Sequence, residues 1–527
     1  MFLIIPGRHH VITQFQINYL KELLDKGMAV AKDARGAAIP DTFRIDAIIF
    51  AITSANHSGT RRNPLPFYLR AIAVEKATAY LSVPVFIFGI DDVGDLNNFA
   101  TYTLKRIAHD SEQRFLLNPD NTIVLCSTKV LLMYEQLGFR ILPAELNDIE
   151  TWTYNRLMPW DIVSGLANAP DETTFESYQS LMHEASRDVW IKYGLFEKVK
   201  VLFRDAMISA DGELTSTRDY AVYVKQMDEI AASKFLETQP HIQPGRIGDI
   251  GCAVGSWIKR CCGDERLRES EFYGIEVSRP LFEICRQRKE NGEFNNPFVF
   301  FAQKNAVSGL VFEPNSMHTI HTSSLTHEIE SYGGRKDLIQ FISNRYAELR
   351  SGGVWVNRDV VGPFRKKQTV MMQLTDEDGI DDNGRDDFAS KAAKASYLAT
   401  LSTLGRFRRF SNDFRKMQKQ QFEFNLAEHN GEIYVKTSLQ FAVEFLSKKD
   451  YTDNWDSEMN ETFCFWDFDE WKEHLLHAGF TILPISRCYT NTWITEHRWT
   501  GKVQLFDENH SPLEWPVTHM MLIAAKP

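Results

Sequence analysis

Apolar and polar positions alternate in short blocks along the first 165 residues. Apolar runs stand at FLIIP (2–6), DAIIFAIT (46–53), VPVFIFGI (83–90), TIVLCS (122–127) and FRILPAE (139–145). Between them, at 15–27, 66–80, 97–108 and 129–137, apolar residues recur at helical spacing. Such alternation predicts parallel βαβ units. Residues 166–175 (LANAPDETTF) are small and polar and predict a linker, followed by a helical stretch over about 176–238. A second series begins with RIGDIG (246–251), EFYGIEV (271–277), PFVFFAQ (297–303), MHTIHTSS (317–324) and GVWVNRDVV (353–361). From about 364 to 450 the period breaks. That stretch is charged, predicts mostly helix, and carries a loop-like DEDGIDDNGRDD (376–387). The regular pattern returns over 465–489 and closes with THMMLIAAKP. The expected architecture is α/β: parallel-sheet domains at 1–165 and 241–527, a linker and helical segment at 166–240, and a helical insertion or lid at about 364–450.

Composition narrows the class. The 527 residues are too many for one core. They are 43% hydrophobic and 24% charged, which fits a folded protein. A net charge of −11 argues against a broad nucleic-acid-binding face, though not against a local basic groove. The seven cysteines form no CxxC pair and no zinc spacing, which suits reduced thiols and a cytoplasmic location. Adjacent Cys261 and Cys262 read as buried helix thiols. No apolar run approaches the roughly 18 residues of a membrane span, and no metal site is visible.

The chemistry-bearing stretch of the second series is RIGDIGCAVGSWIKRCC. A strand ends at Asp249, small residues follow at Gly251, Ala253 and Gly255, and a helix begins. Small residues there let backbone N–H groups approach a ligand closely. Glu276 ends the next strand. An acid at that place can accept hydrogen bonds from both ribose hydroxyls of an adenosine ligand. A tight turn in some other doubly wound sheet is the plainer reading.

With AQKNA (302–306), SSLTHEIESYG (323–333), LRSGGVWVNRDVV (349–361), the HAGF helix and the terminal strand, this half resembles the class I S-adenosylmethionine-dependent methyltransferases, over roughly 240–363 and 462–527. The resemblance implies a Rossmann-like fold and S-adenosylmethionine as cofactor. Asp249, Gly251, Ala253 and Gly255 would face its methionine part, Glu276 its ribose, and Asn305 and Ala306 its adenine. Ser323 to Glu328 would border the reacting methyl. A sulfonium methyl is already activated, so the protein must align a nucleophile and, for some acceptors, remove a proton. His327 and Glu328 are the candidates for that step, with helix capping or packing as the alternative for His327. Arg358 and Asp359 would bind substrate or pair with each other. Tyr220 or Tyr223 would cover the cofactor or pack in the core. The stretch RFRRFSNDFRKMQKQQF (406–422) interleaves arginines with phenylalanines, which suits phosphates and stacked bases. It suits equally an amphipathic helix with its Phe face buried.

In the first half, FAITSANHSGTRRNPLPFYLRAIAVEKA (50–77) crowds hydroxyls, amides and arginines into a strand-to-helix loop, as a di- or triphosphate needs. With PGR at 6–8, TIVLCSTKVLLMYEQLGFRIL (122–142) and TYNRLM (153–158), it resembles the nicotinamide-nucleotide adenylyltransferases of the HxGH nucleotidyltransferase superfamily, over about 1–160. The resemblance implies a site for ATP or an NAD-type nucleotide with Mg²⁺. It would be built from Gly7, Arg8, Thr13, Gln16, Ser54, Asn56, Ser58, Thr60, Asn63, Arg70, Thr153 and Arg156. It places the two catalytic histidines at Thr13 and Gln16 and the intervening glycine at Phe15. Both replacements lack charge, and Leu69 replaces the acid before Arg70. Transfer of a nucleotidyl group and mere holding of a nucleotide both stay open.

The expected protein is a methyltransferase acting on a nucleotide-like small molecule or an RNA end, fused to a nucleotide-binding domain. A bifunctional enzyme, and a non-catalytic sensor of nucleotides or S-adenosylmethionine, are the alternatives. Oligomeric state and the acceptor atom are not legible.

Overall fold

The computed structural model describes residues 1–40, 43–93, 98–204, 220–418, 422–429 and 431–527, without the side chains of 204, 220–223, 226 and 417. The chain forms two compact units, Met1–Gly212 and Glu213–Pro527. Among the described residues no helix is long and apolar enough to cross a membrane.

Unit 1 holds β1 (Phe2–Gly7), β2 (Ala47–Thr53), β3 (Val85–Ile90), β4 (Thr122–Leu125) and β5 (Arg140–Leu142). They form one parallel sheet in the order β3-β2-β1-β4-β5. The crossovers run through α1 (Gln14–Lys26), α2 (Phe67–Thr78), α3 (Phe99–Asp110) and α4 (Leu131–Gln136). Period-2 alternation sorts β1 and β2 between two cores. Leu3, Ile5, Ile48, Phe50 and Ile52 pack on one face, and Ile4, Ile49 and Ala51 on the other. A short ribbon follows, β6 (Leu146–Asp148) with β7 (Thr153–Tyr154).

The rest of unit 1 is helical: α5 (Pro159–Asn168), α6 (Glu172–Gln179), α7 (Glu184–Lys192) and α8 (Leu195–Arg204). The stretch 166–175, expected as a linker, is the end of α5 and the start of α6. Asp171 caps α6 through the Thr174 amide. These helices bury Ile162, Leu166, Val189 and Trp190 against Val11, Leu65 and Leu69, so they belong to this unit's core.

Unit 2 opens with α9 (Tyr220–Thr238). The second alternating series follows: β8 (Arg246–Ile250), α10 (Ser256–Cys261), β9 (Glu271–Glu276), α11 (Arg279–Glu290), β10 (Val299–Gln303), β11 (Met317–Ser323), α12 (Thr326–Glu348, broken at Gly334) and β12 (Leu349–Val360). The strands pair in parallel as β10-β9-β8-β11-β12.

The segment read as a helical insertion is more than helical. It contains β13 (Thr369–Leu374), α13 (Lys391–Thr400), α14 (Thr403–Asp413), β14 (Phe424–His429), β15 (Glu432–Ser438) and α15 (Leu439–Lys448), and α16 (Trp455–Glu458) follows just beyond it. β14, β15 and β13 form an antiparallel sheet, completed by a strand from beyond 450. β14 was missed because it presents mostly exposed or half-buried residues and so lacks an apolar run, whereas the buried run Val370–Met372 of β13 was a signal passed over. Phe407, Phe410, Phe422, Phe445 and Trp455 give this subdomain a core of its own.

The chain then forms α17 (Phe468–His477), β16 (Thr481–Ile482), β17 (Arg487–Tyr489), β18 (Val503–Phe506) and β19 (His519–Ala525). β19 enters antiparallel to β12, and β16 and β17 pair with its other edge. Its residues divide between the two faces of the sheet: Met520, Leu522 and Ala524 on one, Met521 and Ile523 on the other.

The loop after β10 is fastened to α12. The Asn344 amide donates to the carbonyls of Ala306, Val307 and Gly309, and Arg345 donates to that of Ala306. Glu348 accepts from the amides of Val311 and Phe312 and pairs with Arg345 at 2.8 Å, both side chains fully buried. Removing one partner of a buried pair strands the other charge. Arg345→Met should therefore destabilise unit 2 by about 3–5 kcal/mol, read as a lower denaturant midpoint. An unchanged midpoint contradicts the role given to this pair.

Candidate functional site

The carboxyl ends of β8 to β12 form the ligand edge of unit 2. Strand order reverses between β8 and β11, and open α/β sheets bind ligands in the crevice at such a point. After β8 the backbone turns left-handed at alternate residues: Gly251 (φ 71°), Ala253 (φ 49°) and Gly255 (φ 74°). Ala253 adopts this conformation despite its Cβ, at a cost of order 1 kcal/mol. A Cβ on Gly255 would meet the Phe294 and Phe301 rings at 3.1 Å.

The loop is held by Glu276. Its carboxylate accepts from the amides of Ala253 (2.9 Å), Val277 (2.9 Å) and Ser278 (2.8 Å). Burial pushes its pKa up to about 7, against the pull of those amides. Asp249, also buried, lies 2.7 Å from Nδ1 of His321, whose ring stacks on Trp257 at 3.8 Å. Asn305 accepts from the Val307 amide, and Ala306 is held by α12. Ser323 ends β11, its hydroxyl buried without a hydrogen-bond partner, beside Ser324 in a left-handed conformation.

Asp359 organises the neighbouring corner. Its Oδ2 accepts from the amides of Thr326 and His327 and from the Thr326 hydroxyl, which caps α12. Its Oδ1 accepts from the Val360 amide and meets His327 Nδ1 at 2.6 Å. Burial alone would raise the Asp359 pKa, but the His327 charge and these hydrogen bonds bring it down to about 2. On its other side His327 Nε2 stands 3.4 Å from Glu461. Burial disfavours the imidazolium, yet the two carboxylates raise its pKa well above the ordinary value. An imidazole held charged is a poor proton acceptor at neutral pH. Both expectations for His327 are thus modified: its ring is ion-paired, and Asp359 does the capping. Glu328, half-buried, sits at the same turn.

Arg358 does not pair with Asp359. It forks onto Glu237 of α9, Nε at 2.7 Å and Nη2 at 3.3 Å, and Tyr489 donates to the same carboxylate. α9 also brings Lys234 to this edge. Burial and then the Arg358 charge lower its pKa to about 8, partly offset by Asp359, Asp249 and Glu328. Sequence reasoning missed Lys234, Glu237 and Glu461. The first two lie on a helix ahead of the glycine loop, and Glu461 lies beyond the insertion. The side chains of Tyr220 and Tyr223, the expected cover, fall outside the described residues.

The basic-aromatic stretch 406–422 turns its rings inward: Phe407, Phe410, Phe414 and Phe422 are buried. Three of its arginines meet acids, and Arg415 donates to the Asn460 carbonyl. Arg406 pairs with Asp450, Arg408 with Asp381, and Arg409 with Asp386 and Asp413. The acidic loop 376–387 thus contributes two of these acids, Asp381 and Asp386. Residues 419–421 lie outside the described residues.

In unit 1 the predicted residues take mostly structural contacts. Thr13 and Gln16 form a reciprocal helix cap: Thr13 Oγ1 accepts from the Gln16 amide, and Gln16 Oε1 from the Thr13 amide. Gln16 also donates to Glu145, and the Gln14 amide donates to the Leu181 carbonyl. Arg70 is fully buried and donates to the carbonyls of Arg8, Thr53 and Ser54. Asn56 grips the Asp92 backbone through both ends of its amide. Thr60 accepts from the Asn63 amide, and Ser58 is half-buried on the same loop. Thr153 and Arg156 are exposed, Arg156 lying over the Phe15 ring. Gly7 ends β1 against the His9 ring.

His9 and His10 are buried. Burial lowers the His9 pKa to about 4, and burial with the charges of Arg70 and Arg8 lowers that of His10. Both His10 ring nitrogens and Oδ1 of Asn63 lack a well-formed hydrogen bond.

No protein-family model matches the chain, and no curated protein matches it. Among solved structures, an S-adenosylmethionine-dependent methyltransferase from Mesorhizobium loti is similar at 13% identity and a TM-score of 0.30, over 57% of this chain and 100% of its own. Geranyl diphosphate C-methyltransferase from Streptomyces coelicolor is similar at 8% and 0.31, over 59% and 86%. Phosphoethanolamine N-methyltransferase 1 from Haemonchus contortus, solved with phosphoethanolamine and S-adenosylhomocysteine, is similar at 16% and 0.21, over 26% of each chain. At such identities and scores the likeness decides nothing about chemistry, which must come from the site itself.

The cap at Thr13 makes a direct prediction. Thr13→Ala should cost unit 1 about 1 kcal/mol, seen as a lower urea midpoint; an unaltered midpoint contradicts the cap.

Proposed function

We propose that unit 2 binds S-adenosylmethionine and transfers its methyl group to a small nucleotide-like acceptor. The observation that carries this reading is Glu276. A buried carboxylate stands at the end of the strand beside a left-handed, small-residue loop, at the switch point of the sheet. Ribose hydroxyls would donate to it, the 251–255 loop would admit the methionine part, and the stapled 305–309 loop would border adenine. Lys234 brings a positive charge toward the same edge, suited to the cofactor's carboxylate. With His327 ion-paired, Glu328 is the residue of this turn that would help orient the acceptor. A small acceptor is favoured over RNA because Arg406, Arg408 and Arg409 already meet acids.

Binding should depend on pH through Glu276. Free, its carboxyl titrates near 7; bound ribose hydroxyls favour the ionised form. S-adenosylhomocysteine affinity should therefore rise from pH 6 to pH 8, by up to about tenfold per unit below the pKa. Glu276→Gln should bind at least about tenfold more weakly with a flat profile. Calorimetric titration checks both. No binding at millimolar ligand would sink the assignment.

For unit 1 we propose a domain that holds an adenine nucleotide, ATP or an NAD-type ligand with Mg²⁺, without transferring it. The Thr13–Gln16 cap supports this reading, since both side chains are engaged with backbone. The buried His10 and Asn63 side chains, which face each other with poorly formed hydrogen bonding beside Arg70, supply a polar reason for a ligand there. ATP should bind, while ATP with nicotinamide mononucleotide should release no pyrophosphate. Pyrophosphate release contradicts the holding role, and absence of nucleotide binding contradicts the site.

A further inference from the structure

We infer that His327, Glu328 and Glu461 hold a divalent cation beside the methyl-transfer edge of unit 2. His327 Nε2 and one carboxylate oxygen from each glutamate lie within 4.8 Å of one another. The 3.4 Å between Nε2 and Glu461 is long for a hydrogen bond. It is about the separation of two ligand atoms each ~2.1 Å from one ion at a tetrahedral angle.

The surroundings match the support a metal-bound imidazole receives. Asp359 fixes Nδ1 of His327 at 2.6 Å, and its other oxygen is held by Thr326, so Nε2 is turned outward in one orientation. A carboxylate behind the ring raises its basicity as a ligand. Tyr332 donates to Oε1 of Glu461 at 3.1 Å, leaving Oε2 toward the ring, and Phe463 packs edge-on against the imidazole. A further acceptor is close by: Oε2 of Glu458 is buried without a hydrogen-bond partner, within electrostatic reach of Glu461, His327 and Glu328.

Charge balance leads to the same place. Asp359, Glu328, Glu458 and Glu461 stand around His327, with Lys234 within electrostatic reach of Asp359 and Glu328. The nearby Lys448 is shared with Glu444 and the Glu461 carbonyl. A divalent cation adds positive charge to this carboxylate-rich corner. One imidazole with carboxylate oxygens suits Mn²⁺, Fe²⁺, Zn²⁺ or Mg²⁺. The ion displaces the Nε2 proton and offers open positions toward an acceptor oxygen.

The site requires no cofactor, so its test is separate from that of the methyltransferase reading. Mn²⁺ binding to the full chain is followed by loss of the free-ion electron paramagnetic resonance signal, with each variant's urea unfolding midpoint as the fold control. One Mn²⁺ should bind per chain with Kd at or below about 0.1 mM. Glu461→Gln and Glu328→Gln should each weaken it at least about tenfold, and Asp359→Asn about 10–100-fold. Where a variant fails the fold control, competition by Zn²⁺ and Mg²⁺ on the unmutated chain decides. Displacement of Mn²⁺ supports the site. Mn²⁺ free at millimolar concentration, or bound equally by folded variants, overturns it. Intact Mn²⁺ binding without any cofactor-induced stabilisation would sink the methyltransferase reading alone.

Discussion

Three backbone amides converge on the carboxylate of Glu276, and the ligand edge of unit 2 follows from that convergence. The amide of Ala253 ties the glycine loop to the end of β9, and those of Val277 and Ser278 shape the turn into α11. Without a buried acceptor, the left-handed Ala253 would have little to offset its strain. The carboxylate is thus both a structural acceptor and a group whose charge is costly in place. A ligand hydroxyl that donates to it relieves that cost.

A second carboxylate repeats this logic a few strands away. Asp359 caps α12, fixes the ring of His327 and stays ionised against burial. Arg358, its neighbour on β12, reaches the other way to Glu237, so adjacent residues tie the sheet to two different helices. The stretch just beyond the insertion closes the arrangement by bringing Glu461 to the ring of His327. This corner of unit 2 is therefore assembled from α9, α12, β12 and the stretch that carries Glu461.

Much of the architecture was legible because apolar alternation survives wherever a strand is buried on both faces. FLIIP, DAIIFAIT and the closing THMMLIAAKP all became central or near-central strands. β14 and β15 were not recognised, since their alternation is polar and one face is solvated. A signal did exist there: Asn430-Gly431 between two short runs is a hairpin dipeptide. Of the site, Asp249, the small-residue loop and Glu276 are local in sequence and were readable. Lys234, Glu237 and Glu461 reach the site only through tertiary packing, and nothing in their own neighbourhoods marks them. His327 was found, but its state was not, because that depends on two carboxylates distant in the chain. In unit 1, Thr13 and Gln16 were singled out for missing charge. Their spacing is also that of a capping box, which is how the fold uses them.

The central claim is that Glu276 receives the ribose of an adenosyl cofactor. A crystal structure of the full chain grown with S-adenosylhomocysteine tests it most directly. The account predicts ribose oxygens within hydrogen-bond distance of the Glu276 carboxylate and the ligand's methionine part over residues 251–255. A ligand bound elsewhere, or a crevice that stays empty at saturating ligand, would contradict it.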